Sequence, residues 1–235
     1  MAAFKEGSYF YCVEKDDGGE EFYTVFRCLK LDEEYNVAHV TLFESLGEKP
    51  AANDVARLQV AMEHAPIDLD GFDKPVVFAD APLKKDDLDG YYTYLKMTDF
   101  HAYIDETGAD VEAMAADAER LFNEATEHAD KNEFAQAADL YYQAYEAFPL
   151  YYEAVENAGL CHLDLEDYES AMHCFEESIE INGNNFMTDY SIGECHLGLG
   201  DKKLARQWFH QALNLPDITD EQKEIAETAL KELLS

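Results

Sequence analysis

The sequence contains few basic residues. Lys and Arg together number 17, against 51 Asp and Glu, so the formal net charge is −34 at pH 7. A field of this sign repels nucleic acid and anionic lipid, which excludes those two classes of partner. It attracts basic proteins and speeds their association. The same composition also occurs in proteins that are merely very soluble and in proteins of salt-adapted organisms.

Long apolar runs and a leader are also lacking. No stretch approaches the roughly 18 consecutive apolar residues of a membrane helix, and the start, MAAFKEGSYFYCVEKDDGG, lacks the basic lead and apolar core of a secretory signal. The five cysteines lie inside apolar patterns, which is typical of reduced, buried thiols. We therefore expect a cytoplasmic protein without a membrane segment.

Motifs for catalysis and metal binding are missing as well. The sequence has no phosphate-binding glycine loop and no nucleophile elbow. AspAspGlyGly at 16–19 lacks the ligand pattern of a calcium loop and predicts a hairpin turn. The CysHis pairs at 161–162 and 195–196 diverge by about 100° on a helix, so each pair is poorly placed to chelate one ion. We expect no enzyme, no cofactor and no metal site.

The second half of the chain is repetitive. Segments 118–151, 152–185 and 186–219 are equal in length and align, and small or aromatic residues recur at fixed positions. The recurring sets are Ala125, Gly159 and Gly193; Ala137, Ala171 and Ala205; Tyr141, Phe175 and Phe209; Ala144, Ser178 and Ala212; and His128, His162 and His196. The small residue of the first set is expected where a second helix crosses the first and the backbones approach closely. The small residue and the aromatic of the second helix are four apart, which places both on one face.

Polar turns and helix breakers separate the expected helices. Turns are expected at 130–133, 166–167 and 200–201, and Pro149, Gly183 and Pro216 end the second helices. The pattern resembles the tetratricopeptide repeat, whose period of about 34 residues matches these segments. Two features depart from that family: His replaces the usual aromatic late in each first helix, and Pro216 comes one residue early. Thr219 and Gln222 form a capping box, so a solvating helix is expected at 220–234.

The first part of the chain, residues 1–105, has a strand pattern. Three runs rich in aromatic and β-branched residues predict an antiparallel meander; they are Tyr9–Glu14, Glu21–Leu31 and Asn36–Glu44. Pro75–Phe78 and Tyr91–Met97 are further strand candidates, and Asn53–Glu63 is compatible with helix or strand. Residues 106–117 are expected to be a linker that is helical at its end. The fold class is therefore α+β with two domains: a mainly-β domain, then a helical solenoid of three hairpins and a capping helix.

The resemblance implies where partners bind. Ligands of this family usually lie on the concave face, which the first helices line. The corresponding residues are Glu119, Phe122, Thr126, Ala129, Glu153, Glu156, Leu160, Leu163, Met187, Tyr190, Glu194 and Leu197. These residues are acidic and apolar, whereas members that clamp a C-terminal carboxylate use Lys, Arg and Asn there. The groove suits a basic protein with apolar anchors, unless the N-terminal domain covers it.

Three functions are weighed against this pattern. The N-terminal domain faintly resembles the small β domains of bacterial toxin-immunity proteins, through Gly7, an aromatic strand, a turn and the run NVAHVTLFE. The leading interpretation is an immunity or inhibitor protein that neutralises a cationic toxin. The alternative is a tetratricopeptide adaptor or secretion-type chaperone, and an enzyme in the β domain is a more distant third.

The histidine assignment is testable by chelation. If His128, His162 and His196 are packing residues rather than ligands, excess EDTA leaves the melting temperature of the purified protein unchanged. Stoichiometric zinc in the purified protein, measured by inductively coupled plasma mass spectrometry, would contradict this assignment.

Overall fold

A computed structural model describes residues 3–233 and divides after Ala109 into two compact units. The first unit contains five strands and two helices: β1 Ser8–Lys15, β2 Glu21–Asp32, β3 Val37–Phe43, β4 Val60–Asp68, β5 Val76–Asp80, α1 Asp89–Thr98 and α2 Phe100–Thr107. The second unit is helical: α3 Val111–Ala129, α4 Phe134–Ala147, α5 Tyr152–Asp164, α6 Tyr168–Asn182, α7 Phe186–Gly198, α8 Lys202–Leu213 and α9 Asp220–Glu232. The α+β class with two domains is confirmed.

The strands form one antiparallel sheet of order β4-β3-β2-β1-β5. The predicted meander is β1-β2-β3, and β4 and β5 add one strand to each edge. The turn at 16–19 closes the first hairpin as expected, because Asp16 Oδ1 accepts hydrogen bonds of 2.9 Å from the backbone N–H groups of Gly18 and Glu20. Gly19 completes the turn with a φ of +83°, which is a conformation that glycine adopts at little cost.

Aromatic residues alternate between the two faces of the sheet. Phe10 and Phe26 pack with Phe4 and Phe72 on one face, where the ring centroids of Phe10 and Phe26 are 5.2 Å apart. The other face holds a second cluster, whose buried members are Tyr9, Tyr11, Val25 and Phe43. Both faces are therefore buried in the centre of the sheet, and successive aromatic residues are favoured in β1.

One predicted strand is wrong. Residues 91–97 lie in α1, because Tyr91 and Leu95 are four residues apart and both are buried with Leu29 of β2. That spacing matches one face of a helix and overrides the β propensity of the tyrosines. The segment 53–63, compatible with either state, holds a 3-10 helix at Ala52–Arg57 and then the start of β4.

The linker expected at 106–117 is largely helical. Helix α2 ends at Thr107 and α3 begins at Val111, so residues 108–110 are the part outside both helices. Asp110 caps α3 by accepting a hydrogen bond of 3.0 Å from the N–H of Ala113.

Three helical hairpins follow one another at the predicted period. The seven expected helices are α3 to α9, and residues 111–233 contain no strand. The turns inside the hairpins are equivalent: Asn132, Glu166 and Gly200, each one repeat length from the next, have φ values of 60°, 59° and 83°. None of the described helices is long and apolar enough to cross a membrane.

The crossing of the two helices in a hairpin depends on the small residue of the first helix. A Cβ built on Gly193 would lie 2.5 Å from Cε1 of Phe209, and one on Gly159 would lie 2.7 Å from Cε1 of Phe175. Both rings are fully buried. Each glycine therefore faces the aromatic ring of the second helix, and this ring, rather than the predicted close approach of the two backbones, fills the space.

This contact predicts the effect of adding one methyl group. Replacing Gly193 with Ala forces Phe209 out of its position and lowers the free energy of unfolding by about 1–3 kcal/mol, which urea denaturation measures. Gly47→Ala is the matched control, because a Cβ at Gly47 has no neighbour within 4 Å. In the Phe209→Leu background the cost of Gly193→Ala falls, since the clashing ring is gone. An equal cost in both backgrounds would contradict this account.

Candidate functional site

The first helices of the hairpins are acidic. Helix α3 has five acidic residues and one Arg, α5 has three acidic residues, and α7 has two; α5 and α7 contain no Lys or Arg. Arg120 of α3 is paired, with its Nη2 2.7 Å from Asp117 Oδ1 and its Nη1 3.4 Å from Glu124 Oε2. These helices therefore offer a partner carboxylates and no unpaired cation.

Nine of the twelve residues predicted to line the groove are the candidate contacts of a partner, and they differ in exposure. Glu119 and Met187 are exposed, Met187 to 45%. The others are partly buried: Phe122, Thr126, Glu153, Glu156, Leu160, Tyr190 and Glu194. Leu160 packs against the buried cluster around Phe175, so most of its surface stabilises the repeat. A partner would therefore contact side chains that are already partly buried by packing within the protein.

In the first repeat, Phe122 is held by aromatic neighbours. Its ring centroid lies 5.0 Å from that of Tyr151 in a stacked arrangement and 5.0 Å from that of Tyr141 at 63°. Thr126 Oγ1 lies 2.9 Å from the Tyr141 hydroxyl oxygen. Phe122 therefore joins its own hairpin to the residue that precedes α5.

The second repeat replaces this aromatic contact with hydrogen bonds. Glu156 occupies the repeat position of Phe122, and its Oε1 accepts hydrogen bonds from Ser178 Oγ at 2.9 Å and Asn185 Nδ2 at 2.7 Å. Asn185 occupies the repeat position of Tyr151 and also caps α7. Glu156 thus links α5, α6 and the start of α7.

The third repeat combines an aromatic ring and a carboxylate. Tyr190 packs against Phe186 and Phe209, with ring centroids 5.5 and 5.1 Å away. Burial, followed by the charge of Glu194, raises the pKa of Tyr190 to about 12. Burial also raises the pKa of Glu194, and the charge of Asp164 on α5 adds to this. Glu194 is therefore a half-buried carboxylate beside a second acid.

One buried acid was missed in the sequence analysis. Asp189 is fully buried where the first two repeats have Leu121 and Val155. Asn184 Nδ2 donates a hydrogen bond of 2.7 Å to its Oδ1, and burial raises its pKa. Buried carboxylates require such a partner. An Asp at an apolar repeat position was the available clue.

The repeated histidines lie beside the turns. His128 Nδ1 is 2.6 Å from Glu133 Oε2, and His162 Nδ1 is 3.4 Å from Asp167 Oδ2. Each acid also starts the next helix, so these contacts join the end of a first helix to the start of a second. Within residues 3–233, no group of three or more His, Cys, Asp or Glu is arranged to hold a metal ion.

The cysteine thiols are buried, and burial raises their pKa values. All five are free and buried. Burial raises the pKa of Cys12 to about 11 and that of Cys195 to about 12. At neutral pH these groups are protonated, so they lack the thiolate that nucleophilic catalysis requires.

Two family models match parts of the helical unit. The model described as tetratricopeptide repeat matches residues 122–186. The model described as regulator of microtubule dynamics protein 1-3 matches residues 166–235. The search of curated proteins finds no match.

Solved structures are also similar to this chain. The first tetratricopeptide domain of Spaghetti (RPAP3) bound to the HSP90 peptide SRMEEVD is 16% identical, with a TM-score of 0.46, covering 52% of this chain and 96% of that one. The Arabidopsis OM64 tetratricopeptide domain is 18% identical, with a TM-score of 0.46 and coverages of 51% and 98%. The Yersinia enterocolitica type III secretion chaperone SycD, in complex with a YopD peptide, is 17% identical, with a TM-score of 0.46 and coverages of 49% and 91%.

The Glu156 junction gives a prediction that separates charge from hydrogen bonding. Glu156→Gln keeps an oxygen acceptor for Ser178 and Asn185, so we expect a change in unfolding free energy below about 0.5 kcal/mol. Glu156→Ala leaves both donors without that acceptor and costs about 1–3 kcal/mol. Thermal or urea unfolding measures both variants. Equal losses in the two would show that the charge, rather than the acceptor, stabilises the junction.

The helical unit is thus described by three agreeing observations. Its hairpins recur at one fixed period, their turns share one backbone conformation, and in the second and third hairpins a glycine faces an aromatic ring at the crossing. The family model covers the first two hairpins in large part. The helical unit of this chain is therefore a tetratricopeptide repeat segment.

Proposed function

We propose that this chain is a non-catalytic adaptor or chaperone-type protein, whose first helices bind a basic segment of a protein partner. The observation that carries the proposal is the charge of α3, α5 and α7, which together hold ten acidic residues and one Arg; apart from the buried Asp189 and the internally bonded Glu156, eight of these acids remain. That Arg is already paired. Electrostatic complementarity of this kind selects partners by charge and raises association rates.

Apolar anchors accompany the carboxylates. Met187 is 45% exposed and Leu197 is 39% exposed, both on α7. Exposed apolar side chains bordered by acids suit a segment that alternates Lys or Arg with apolar residues. The apolar contacts would set the lifetime of the complex, and the charges its rate of formation.

The half-buried carboxylate of Glu194 supports the same partner. Burial and Asp164 both disfavour its charged form, which raises its pKa. A Lys or Arg side chain placed beside it would compensate the lost hydration of the carboxylate. A cation bound there would therefore favour the charged form of Glu194 and lower its pKa.

A more specific form of this proposal is that the chain binds a cationic toxin in the cytoplasm and inhibits it. The net charge of −34 supports it, because such a surface masks a basic, phosphate-binding surface. Five buried, free thiols fit a reducing compartment. The two versions differ in outcome: an inhibitor abolishes its partner's activity, whereas an adaptor or chaperone leaves it intact or delivers it.

The test begins with a partner captured from the native host and identified by mass spectrometry. Its association and dissociation rates are then measured by surface plasmon resonance. Replacing Glu119, Glu153 and Glu194 with Gln should slow association about 3- to 10-fold at low salt, since these charges act through steering. The effect should shrink as salt rises. Met187→Ala with Leu197→Ala should instead speed dissociation.

A matched control removes as many charges elsewhere. Glu169, Glu176 and Glu180 are exposed acids of the second helix α6, and their replacement with Gln should leave association nearly unchanged. If both triple variants slow association equally, the whole acidic surface attracts the partner and the first helices are not the site. If neither triple variant nor the α7 double variant alters binding, the proposal is wrong.

A further inference from the structure

The N-terminal unit contains a cleft that the proposed function does not use. Its volume is about 570 Å³, and it lies among β2, β3, α1 and α2. Ligand sites in proteins commonly have volumes of this order. The cleft is lined by residues between Lys30 and Glu106, so it belongs wholly to the first unit.

The inner wall of the cleft is aromatic. Tyr91 and Tyr94 of α1 pack against His39 of β3, with ring centroids 4.9 and 5.5 Å from the imidazole. Tyr35, on the turn between β2 and β3, lines the same cleft and is 73% exposed. An exposed tyrosine beside a wall of aromatic rings leaves π-faces available to a ligand.

The rim of the cleft is acidic. Five carboxylate residues line it, namely Asp32, Glu33, Glu34, Asp99 and Glu106. The one lysine among the lining residues, Lys30, is paired, because its Nζ lies 3.4 Å from Glu106 Oε1. The Tyr91 hydroxyl also donates a hydrogen bond of 3.2 Å to that Oε1. The other four acids have no cation among the residues that line the cleft to balance them.

A histidine of β3 also lines the cleft. His39 is 7% exposed, and its Nδ1 lies 2.8 Å from Nε2 of His64. Burial lowers the pKa of His39, so the ring is neutral at pH 7. When Nδ1 donates to His64, the lone pair of the neutral ring is on Nε2.

We propose that this cleft binds an organic cation, a guanidinium or alkylammonium group carried on an apolar stem. Aromatic faces attract such cations, the acids of the rim balance the charge, and His39 Nε2 accepts one N–H bond. Arginine fits these features best, because its planar head stacks on tyrosine and donates several hydrogen bonds in fixed directions. The residues of this cleft are not those of the first helices, so this proposal can be tested independently of the proposed groove.

The first experiment titrates defined probes into the full chain. N-acetyl-arginine amide, N-acetyl-lysine amide, spermidine and the neutral isostere N-acetyl-citrulline amide are added while NMR follows the tyrosine rings and the His39 side-chain nitrogens. We expect saturable shifts at Tyr91 and Tyr94 with the cations and little response to citrulline. Binding should also fix the His39 tautomer with the proton on Nδ1.

The probes distinguish two sources of the cation. Tighter binding of the arginine or lysine amide than of spermidine assigns the cleft to a protein side chain, and the reverse order assigns it to a free polyamine. Equal shifts with arginine and citrulline, or no saturable shift with any cation, would overturn the proposal.

Variants locate the interaction without disturbing the fold. Tyr35→Ala removes an exposed ring, and binding of the arginine probe should weaken about 2- to 5-fold. Glu33→Gln with Glu34→Gln removes two exposed rim charges and should weaken it about 2- to 10-fold. The control, Asp17→Asn with Glu20→Gln, removes two exposed charges from the β1–β2 turn. An equal loss of affinity in the control would show that the net charge of the protein attracts the cation and that the cleft does not bind it.

Discussion

The helical unit depends on the contact between an aromatic ring and a residue with a minimal side chain. Phe209 occupies the space over Gly193 so closely that a Cβ there would meet the ring at 2.5 Å. This contact sets how near the two helices of a hairpin lie. The separation in turn determines which side chains of the first helix stay partly accessible. The acidic surface that we propose for partner binding is therefore a consequence of how the aromatic residues of the second helices pack.

The same repeat positions are occupied by different chemistry in each hairpin. Where the first repeat stacks Phe122 on Tyr151, the second bonds Glu156 to Asn185 at 2.7 Å. Both arrangements join one hairpin to the next, because ring stacking and a hydrogen-bonded carboxylate can each fill a partly buried junction. An acid in a first helix can thus be a structural residue. This separates Glu156 from Glu194, whose pKa is raised by burial and by the charge of Asp164.

Excess negative charge is tolerated because most of it is hydrated. The exceptions are buried or half-buried acids such as Asp189 and Glu194, whose pKa values are raised by burial. Asp189 is supplied with a donor from Asn184. In the N-terminal unit, the cleft between sheet and helices collects five acids and one paired lysine. A cation-binding site is thus proposed in each unit, and the two sites need not bind the same ligand.

The sequence alone determined the features that repeat. The fixed period was enough to predict the hairpins, their turns and the crossing at Gly193, because equivalent positions of each repeat are packed in the same way. The sequence also predicted the meander of the first unit, since turn residues and alternating aromatic residues are local signals. It did not predict α1, where burial of Tyr91 and Leu95 against Leu29 overrode the strand propensity of the tyrosines. Only the tertiary structure decided that Phe122 and Glu156 are partly used in packing, and that His39 meets Tyr91 and Tyr94 at a cleft. Those residues are distant in the chain, and the local periodicity of the sequence does not show which of them the fold brings together.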